Sequence, residues 1–305
     1  MPHKVVVVTP AGRRHYLDLL SHYVTGAAGV DKWVLWDNCR RQEDRDHIEE
    51  MARRNPLIEI VRVDNPDGSN RTVNKFYKFC NDPGTFYIKM DDDLVYLAPD
   101  LPQRLYRAAL RERDTKIWWS PLVVNNAICT WLLKYHSQIT VDAGLTAQAG
   151  CAKGWRSPIF AERLHRVFLE SAGAGAYHKF ETGNFDVSLA RFSINCIGYF
   201  GDDVAALGEK FCPENVDDEE WISAVLPSIA GRPGRIIGDI LAAHFSYFTQ
   251  EHHLLGTDIL EQYYALAGLS PAPYERPRRV LKDVVKRYLL VRFSGGLDPF
   301  RIEAG

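Results

Sequence analysis

Three consecutive aspartates, Asp91, Asp92 and Asp93, interrupt an otherwise apolar stretch of this 305-residue chain. Residues 87–90 are predicted as the end of a strand, and apolar residues resume at 94–96. Carboxylates at the tip of a buried strand repel one another and cost desolvation energy, so they persist most easily where a divalent cation or a metal-bound phosphate neutralises them. Hard oxygen ligands of this kind suit Mg²⁺ or Mn²⁺. The triplet therefore predicts a metal site.

The spacing Asp-x-Asp is by itself uninformative, because it occurs a second time at Asp44 and Asp46. That copy lies in residues 40–47, a stretch of alternating charges that predicts the solvated start of a helix. In open α/β sheets, ligands bind outside the carboxyl ends of strands. Of the two Asp-x-Asp copies, only the one at 91–93 follows a predicted buried strand. The preceding strand, and not the Asp-x-Asp spacing itself, therefore favours a metal site at 91–93.

The composition is that of an ordinary soluble globular protein, with 46% hydrophobic and 25% charged residues. A net charge of −2 gives no bulk reason to expect a nucleic-acid partner. The first apolar run is far too short for a signal peptide or a membrane span. The cysteines lack C-x-x-C pairs and zinc-like spacing, which predicts reduced packing residues and a cytoplasmic protein; they are Cys39, Cys80, Cys129, Cys151, Cys196 and Cys212.

Strand and helix periods alternate through the first hundred residues. The predicted strands are 5–9, 32–36, 58–63 and 85–90, and the predicted helices are 14–24, 44–54 and 73–80. This order predicts an α/β fold with an open, mainly parallel twisted sheet flanked by helices. No G-x-G-x-x-G follows the first strand and no P-loop motif occurs, so a dinucleotide enzyme and a P-loop NTPase are both disfavoured.

The order becomes less regular after Asp93. The pattern predicts a helix at 101–113, a short strand at 116–119, a mixed region at 120–200, a helix at 216–226 and an apolar segment at 240–248. A proline-rich break at 270–277 then precedes a basic tail.

Together, the strand order, the aspartate triplet, an acidic helix start at 217–220 and the late His244 resemble a GT-A-type nucleotide-sugar glycosyltransferase. The resemblance spans roughly residues 4–250. It implies that Asp91 and Asp93 hold Mn²⁺ or Mg²⁺ on the diphosphate of the donor sugar nucleotide. It also implies that His244 completes the metal shell.

In the inverting branches of that family, an acidic residue at a helix start deprotonates the acceptor hydroxyl, and residues 217–220 are similar to that element. Adjacent helical residues point about 100° apart, so only one or two of these acids face the site. We expect Asp218 to be the base, with Glu219 second. The alternative is that these acids only cap the helix, as carboxylates at helix starts commonly do. Likewise, the alternative for His244 is a satisfied core histidine.

The resemblance also implies contacts to the nucleotide sugar. The stretch 70–75 is similar to an Arg-Asn segment that often borders the donor site in the family, and the second predicted strand ends in Asp37-Asn-Cys where the family commonly has Asp-Asp-Gly-Ser. The residues expected to bind the donor are Thr9, Pro10, Asp37, Arg71, Asn74, Lys75, Asp91 and Asp92.

The implied organisation is one GT-A-like catalytic domain at 1–270, with a nucleotide-sugar-binding half at about 1–115 and an acceptor half at about 116–270. Residues 271–305 are predicted as the break and a helical tail. The implied reaction is metal-dependent transfer of a sugar to a hydroxyl of a glycan or lipid-linked glycan, with inversion, in surface-polysaccharide biosynthesis. The alternatives are a retaining transferase, a nucleotidyltransferase, and a non-catalytic carbohydrate- or nucleotide-binding module of the same fold.

The tail places apolar residues at helical spacing and basic residues elsewhere between 276 and 292. The simpler interpretation is a helix packed on the main domain. The alternative is a basic amphipathic helix that contacts the inner face of the membrane, where a lipid-linked acceptor would be found. The sequence leaves the oligomeric state open.

Overall fold

The structure is a computed structural model that describes residues 4–64, 68–141, 143–188, 190–272, 274 and 302–304. The chain divides into two compact units, one of residues 1–122 and 183–242 and the other of residues 123–182 and 243–305. The predicted basic tail helix at 276–292 lies outside the described residues.

A nine-stranded mixed sheet, counted over the described residues, belongs to the first unit apart from the last two residues of β6 and of β10. Its strand order is β3-β2-β1-β4-β9-β6-β10-β5, with β8 paired to β10. The strands are β1 (Lys4–Ala11), β2 (Lys32–Asp37), β3 (Ile58–Val61), β4 (Thr85–Met90), β5 (Leu94–Leu97), β6 (Trp119–Val124), β8 (Phe185–Val187), β9 (Cys196–Phe200) and β10 (Gly234–His244); β7 (Ile139–Val141) belongs to the second unit.

The parallel part of the sheet consists of β3, β2, β1 and β4. Val7 in β1 pairs with Trp33 in β2 and with Ile88 in β4, and all three side chains are buried. A strand covered on both faces needs a continuous apolar run, which residues 5–8 supply. The strands and helices predicted for this part are confirmed to within a few residues.

Beyond this part, β9 runs antiparallel to β4 and to β6, and β8 runs antiparallel to β10. The sheet is therefore mixed, whereas the sequence predicted a mainly parallel one. The strand predicted at 116–119 was also misplaced, since β6 begins at Trp119 and continues through Pro121. Proline is uncommon inside strands, so Pro121 weakened the strand signal in residues that the sequence assigned to the mixed region.

Helices cover the sheet and build the second unit. They are α1 (Arg14–Gly26), α2 (Gln42–Arg54), α3 (Asn70–Val73), α4 (Leu101–Glu112), α5 (Ala127–Tyr135), α6 (Pro158–Gly173), α7 (Gly201–Leu207), α8 (Asp218–Glu220), α9 (Leu226–Ala230), α10 (Glu251–Leu255) and α11 (Ile259–Leu266). The predicted helix at 73–80 is α3 followed by a 3₁₀ turn at Asn74–Phe79. The helix predicted at 216–226 is α8, a π-helical turn at Trp221–Val225 and α9.

The strand order reverses between β1 and β4, because β2 and β3 lie on one side of β1 and β4 lies on the other. The carboxyl ends of these two parallel neighbours point to the same edge of the sheet. Ligand sites of open α/β sheets form at such a reversal. The turn after β1 and residues 91–93 after β4 therefore meet at this edge.

The second unit has a buried polar centre around His165 of α6. Burial lowers the pKa of His165 to about 3, so the ring is neutral at pH 7. Its two nitrogens lie 2.8 Å from the carbonyl oxygen of Phe245 and 2.8 Å from the hydroxyl of Tyr263. The neutral ring therefore donates to the carbonyl and accepts from the hydroxyl. In the same unit, β11 (Ile302–Ala304) pairs with β7.

None of the helices among the described residues is long and apolar enough to cross a membrane. All six cysteines are buried and free, as expected for packing residues.

Gly198 of β9 has no space for a side chain, and its substitution tests the β4–β9 packing. A Cβ there would lie 2.3 Å from Cζ of the buried Phe86. We expect Gly198→Ala to lower the free energy of unfolding by roughly 1–3 kcal/mol, because overpacking forces the ring to move. Gly26→Ala is the control, since a Cβ at Gly26 meets nothing within 4 Å. Equal urea midpoints for the two variants would contradict the expectation.

Candidate active site

The turn between β4 and β5 carries the three aspartates. The amide of Asp91 donates to the carbonyl oxygen of Asn195 at 2.8 Å, which fixes the start of the turn against the segment before β9. Asp92 and Asp93 are buried, whereas 27% of the Asp91 side chain is exposed. Asp91 and Asp93 each present a carboxylate oxygen, and these atoms lie within 4.8 Å of one another. That spacing allows both to ligate one cation.

Asp92 is held by the turn that follows β1. One carboxylate oxygen accepts from the amide of Gly12 at 3.0 Å, and the other accepts from Nε of Arg13 at 3.1 Å. Arg13 also forms an ion pair with Asp93 at 3.0 Å. Burial raises the pKa of Asp92 to about 6, although Arg13 opposes the shift. These hydrogen bonds make Asp92 a link between the ends of β1 and β4, and its expected contact with the donor stays a prediction.

A buried cation, Lys89, lies two residues before Asp91, on the same side of β4. Its Nζ forms an ion pair with Oδ1 of Asp91 and donates to the carbonyl oxygen of Ile194 at 3.0 Å. Burial lowers the pKa of Lys89, but Asp91 and Asp218 outweigh that effect and raise it. The structure thus brings the acidic start of α8 into the electrostatic field of the aspartate turn.

The acids of α8 have different partners. Asp217 is the N-cap, because Oδ1 accepts from the amide of Glu220 at 2.9 Å. Oδ2 of Asp218 lies 3.3 Å from the hydroxyl of Tyr77. Glu219 accepts from Nε of Arg191 at 2.7 Å. Burial raises the pKa of both Asp218 and Glu219 above the usual values for these acids.

His244 is the last residue of β10 and belongs to the second unit. It is buried, and Nδ1 lies 3.3 Å from the carbonyl oxygen of Asn125. Its ring contacts Tyr247 edge-on, with centroids 4.9 Å apart. A buried imidazole of this kind can serve either as a packing group or as a metal ligand.

Two residues expected to bind the donor form hydrogen bonds to side chains of the first unit. Thr9 is fully buried, and its hydroxyl accepts from the indole of Trp33 at 3.0 Å. Asp37 accepts from Nε of Arg45 and of Arg62, each at 3.0 Å. Burial raises the pKa of Asp37, but these hydrogen bonds outweigh it and bring the pKa below its usual value. Both side chains therefore have hydrogen-bond partners within the first unit.

The other expected donor residues differ in exposure. Arg71 is exposed, and Pro10 and Lys75 are half-buried. Asn74 is buried, and its amide nitrogen donates to two carbonyl oxygens of the segment before α8. Asn74 therefore has an intramolecular role that the sequence did not indicate.

Five polar residues of the site were missed by sequence reasoning: Arg13, Tyr77, Lys89, Arg191 and Asn195. A signal existed for two of them. Lys89 is a charged residue inside an apolar strand, on the same face as Asp91, and Arg13 follows the first strand at its carboxyl end. The partners of the others lie far away in sequence and leave no local pattern.

The ligand chemistry of this turn fits a divalent cation. The three carboxylates at 91, 92 and 93 have two cationic partners, Arg13 and Lys89, which leaves one formal negative charge at the turn. Carboxylate oxygens are preferred ligands of Mn²⁺ and Mg²⁺. Asp91 and Asp93 are thus suited to hold such an ion.

No protein-family model and no curated protein sequence matches the chain. Among solved structures, the mannosyltransferase PcManGT from Pyrobaculum calidifontis, in complex with GDP-Man and Mn²⁺, is similar with a TM-score of 0.51 at 13% identity. That match covers 90% of this chain and 66% of the other. GalNAc-T7, with UDP, GalNAc and Mn²⁺, also has a TM-score of 0.51 at 13% identity, over 88% of this chain and 48% of the other.

These likenesses establish the fold. The chain has the GT-A-like α/β fold that the sequence predicted, with an open mixed sheet flanked by helices. It spans just under two thirds of the length of the first chain and about half of the second.

Arg13 is expected to compensate the buried aspartates, and its removal tests this. We expect Arg13→Gln to lower the free energy of unfolding by roughly 3 kcal/mol, because Asp92 and Asp93 lose their ion-pair partner. This is the low end of the usual range, since the Arg13 side chain is 36% exposed. Arg14→Gln is the matched control, because Arg14 is exposed. Adding Asp92→Asn to Arg13→Gln should restore part of the loss in urea unfolding, and equal stability of the two arginine variants would contradict the expectation.

Proposed function

We propose that this chain is a metal-dependent glycosyltransferase that moves a sugar from a nucleoside-diphosphate sugar to a hydroxyl of a glycan or glycolipid acceptor, with inversion. The observation that carries the proposal is the aspartate turn at the strand-order reversal of a GT-A-like sheet, electrostatically coupled to the acids of α8. Both similar structures were obtained with Mn²⁺ and either a nucleotide sugar or a nucleotide.

In this proposal Asp91 and Asp93 are metal ligands, and His244 is the third ligand that the family resemblance implies. The two carboxylates are the ligand type that suits Mn²⁺, and His244 would add an imidazole nitrogen. When bound, a divalent cation neutralises the charge that develops on the departing diphosphate. Arg13 and Lys89 hold the two carboxylates in place from the protein side. Arg71 and Lys75 are the expected cationic contacts to the donor phosphates.

Asp218 is the better candidate for the base. The carboxylate of Glu219 accepts from the guanidinium of Arg191, whereas Asp218 accepts from two neutral groups, the hydroxyl of Tyr77 at 3.3 Å and the amide of Glu219 at 3.0 Å. A general base works best when its pKa is near the working pH, and burial shifts the pKa of Asp218 upward from its usual value. Asp218 would accept the proton of the acceptor hydroxyl as the new glycosidic bond forms. The sugar would then be attacked from the face opposite the leaving diphosphate.

Donor binding is expected to depend on metal and on Asp93. We expect GDP-mannose or UDP-GalNAc, the first members of a nucleotide-sugar panel, to raise the melting temperature with Mn²⁺ and not with EDTA. A ligand at about 100 times its Kd adds roughly 2.7 kcal/mol of stability. Asp93→Asn and His244→Ala should abolish this shift. Asp46→Asn is the matched control, because Asp46 belongs to the second Asp-x-Asp and is exposed on α2.

No shift with any donor would contradict a nucleotide-sugar site. A metal-dependent shift without turnover would favour the non-catalytic module, and pyrophosphate release would identify a nucleotidyltransferase.

Transfer is expected to require Asp218. We expect Asp218→Asn to lower the rate of nucleoside-diphosphate release by about 10²–10⁴-fold while the thermal shift with donor remains. Glu219→Gln should lose less, and Glu220→Gln, an exposed acid of the same helix, is the control. The base must be ionised, so the wild-type rate should fall as the pH drops through the raised pKa of Asp218.

The stereochemistry is checked on the product by NMR of the anomeric centre. A configuration opposite to that of the donor is expected. A retained configuration would exclude the inverting mechanism and assign α8 a structural role.

A further inference from the structure

The segment that the sequence assigned to donor binding is joined to the segment that carries the proposed base. Asn74 begins the 3₁₀ turn after α3, and its side chain is buried. Its Nδ2 donates to the carbonyl oxygen of Pro213 at 2.9 Å and to that of Val216 at 2.8 Å. A side-chain amide has two N–H hydrogens, so both are used by this pair of carbonyls. Asn74 therefore fixes the segment immediately before α8.

Tyr77 makes the second connection, three residues later in the same turn. Its hydroxyl donates to Oδ2 of Asp218 at 3.3 Å. The ring is fully buried and packs edge-on against Trp36, with ring centroids 5.3 Å apart. It also packs at a tilt against Phe211, with ring centroids 6.2 Å apart. Because the ring is held by these contacts, the position of the hydroxyl is fixed by the core. The hydroxyl in turn restricts where the carboxylate can lie.

An exposed ion pair also joins the two segments, between Lys78 and Glu214 at 3.4 Å. Exposed pairs of this kind contribute little, because water screens them and the side chains lose entropy. The buried contacts of Asn74 and Tyr77 are therefore the ones expected to matter. They act at two points, the backbone ahead of the N-cap Asp217 and the carboxylate of the next residue.

We propose that Asn74 and Tyr77 are positioning residues for the catalytic base Asp218, so that one short helical segment both borders the donor site and sets the base. This inference rests on the proposed function, in which Asp218 takes the acceptor proton. Arg71 and Lys75 flank Asn74 in the same segment and remain the donor contacts. In this proposal both amide hydrogens of Asn74 are used within the chain, whereas the sequence predicted a donor contact for this residue.

Asn74→Asp tests the backbone connection with a side chain of the same shape. The aspartate has no N–H to donate and places a negative oxygen against two carbonyl groups. We expect faster amide hydrogen exchange in peptides covering 213–220, and kcat for nucleoside-diphosphate release lowered by roughly tenfold or more. The Kd of the donor, measured with GDP-mannose or UDP-GalNAc and Mn²⁺, should stay within about twofold.

The control for this change is Asn184→Asp. The oxygen of Asn184 accepts from the amide of Gly238 at 3.1 Å, and an aspartate can accept the same bond. A raised donor Kd with unchanged kcat in Asn74→Asp would overturn the inference and restore Asn74 as a donor contact. Unchanged exchange at 213–220 would also overturn it, and this measurement does not depend on activity.

Tyr77→Phe tests the hydroxyl alone and keeps the packed ring. A hydrogen bond donated to a carboxylate favours the ionised form, so its removal raises the pKa of the base. We expect the acid limb of the pH–kcat profile to move upward by about half to one unit, with roughly three- to tenfold lower kcat below that pH. Tyr87→Phe is the matched control, because Tyr87 donates to Asp82 at 3.2 Å, a tyrosine–carboxylate pair elsewhere.

Other charged groups also face Asp218 and stay constant in this comparison; they are Lys89, Asp91, Asp217 and the thiol of Cys212. A profile of Tyr77→Phe that superimposes on that of Tyr87→Phe would overturn the role of the hydroxyl. If Asp218→Asn keeps full activity, the base assignment fails. If Asp218→Asn is inactive and the Asn74 and Tyr77 variants match their controls, only the positioning inference fails.

Discussion

The burial of carboxylates at the end of β4 is the constraint on which the rest of the site depends. Asp92 and Asp93 are almost completely shielded from water, and an uncompensated charge there would cost several kcal/mol. The compensation comes from Arg13, in the turn after β1. This is possible only because β1 and β4 are parallel neighbours, so that their carboxyl ends share one edge. The strand order of the sheet therefore determines which cation compensates the buried carboxylates.

The three acids have different roles in this compensation. Both carboxylate oxygens of Asp92 accept hydrogen bonds, one from Gly12 and one from Arg13, and these bonds join the turn after β1 to the end of β4. Asp91 is the most exposed of the three and shares its charge with Lys89. Asp91 and Asp93 remain the pair whose oxygens can ligate one ion. The middle acid of the triplet thus has a structural reason to be there, apart from any ligand.

The acids of α8 extend the same electrostatic group. Lys89 is buried between the aspartate turn and these acids and is stabilised as a cation by Asp91 and Asp218. α8 is the first turn of a continuous helical stretch at 218–230, and contacts from a distant part of the chain hold the start of this stretch. Asn74 and Tyr77 supply that support from a part of the chain that precedes β4. At 13% identity, the similar structures share the fold with this chain.

The sequence by itself determined the alternation of strands and helices up to β4 and the position of the aspartates at a strand end, because both follow from local hydrophobic periodicity. It also determined that Asp218 lies at a helix start. Only the tertiary structure decided that β9 inserts antiparallel beside β4, that Lys89 pairs with Asp91, and that Asn74 binds carbonyl groups 139 and 142 residues away. The physical reason is that a buried hydrogen bond or ion pair needs a partner in space, and partners this distant leave no periodic signal in the chain.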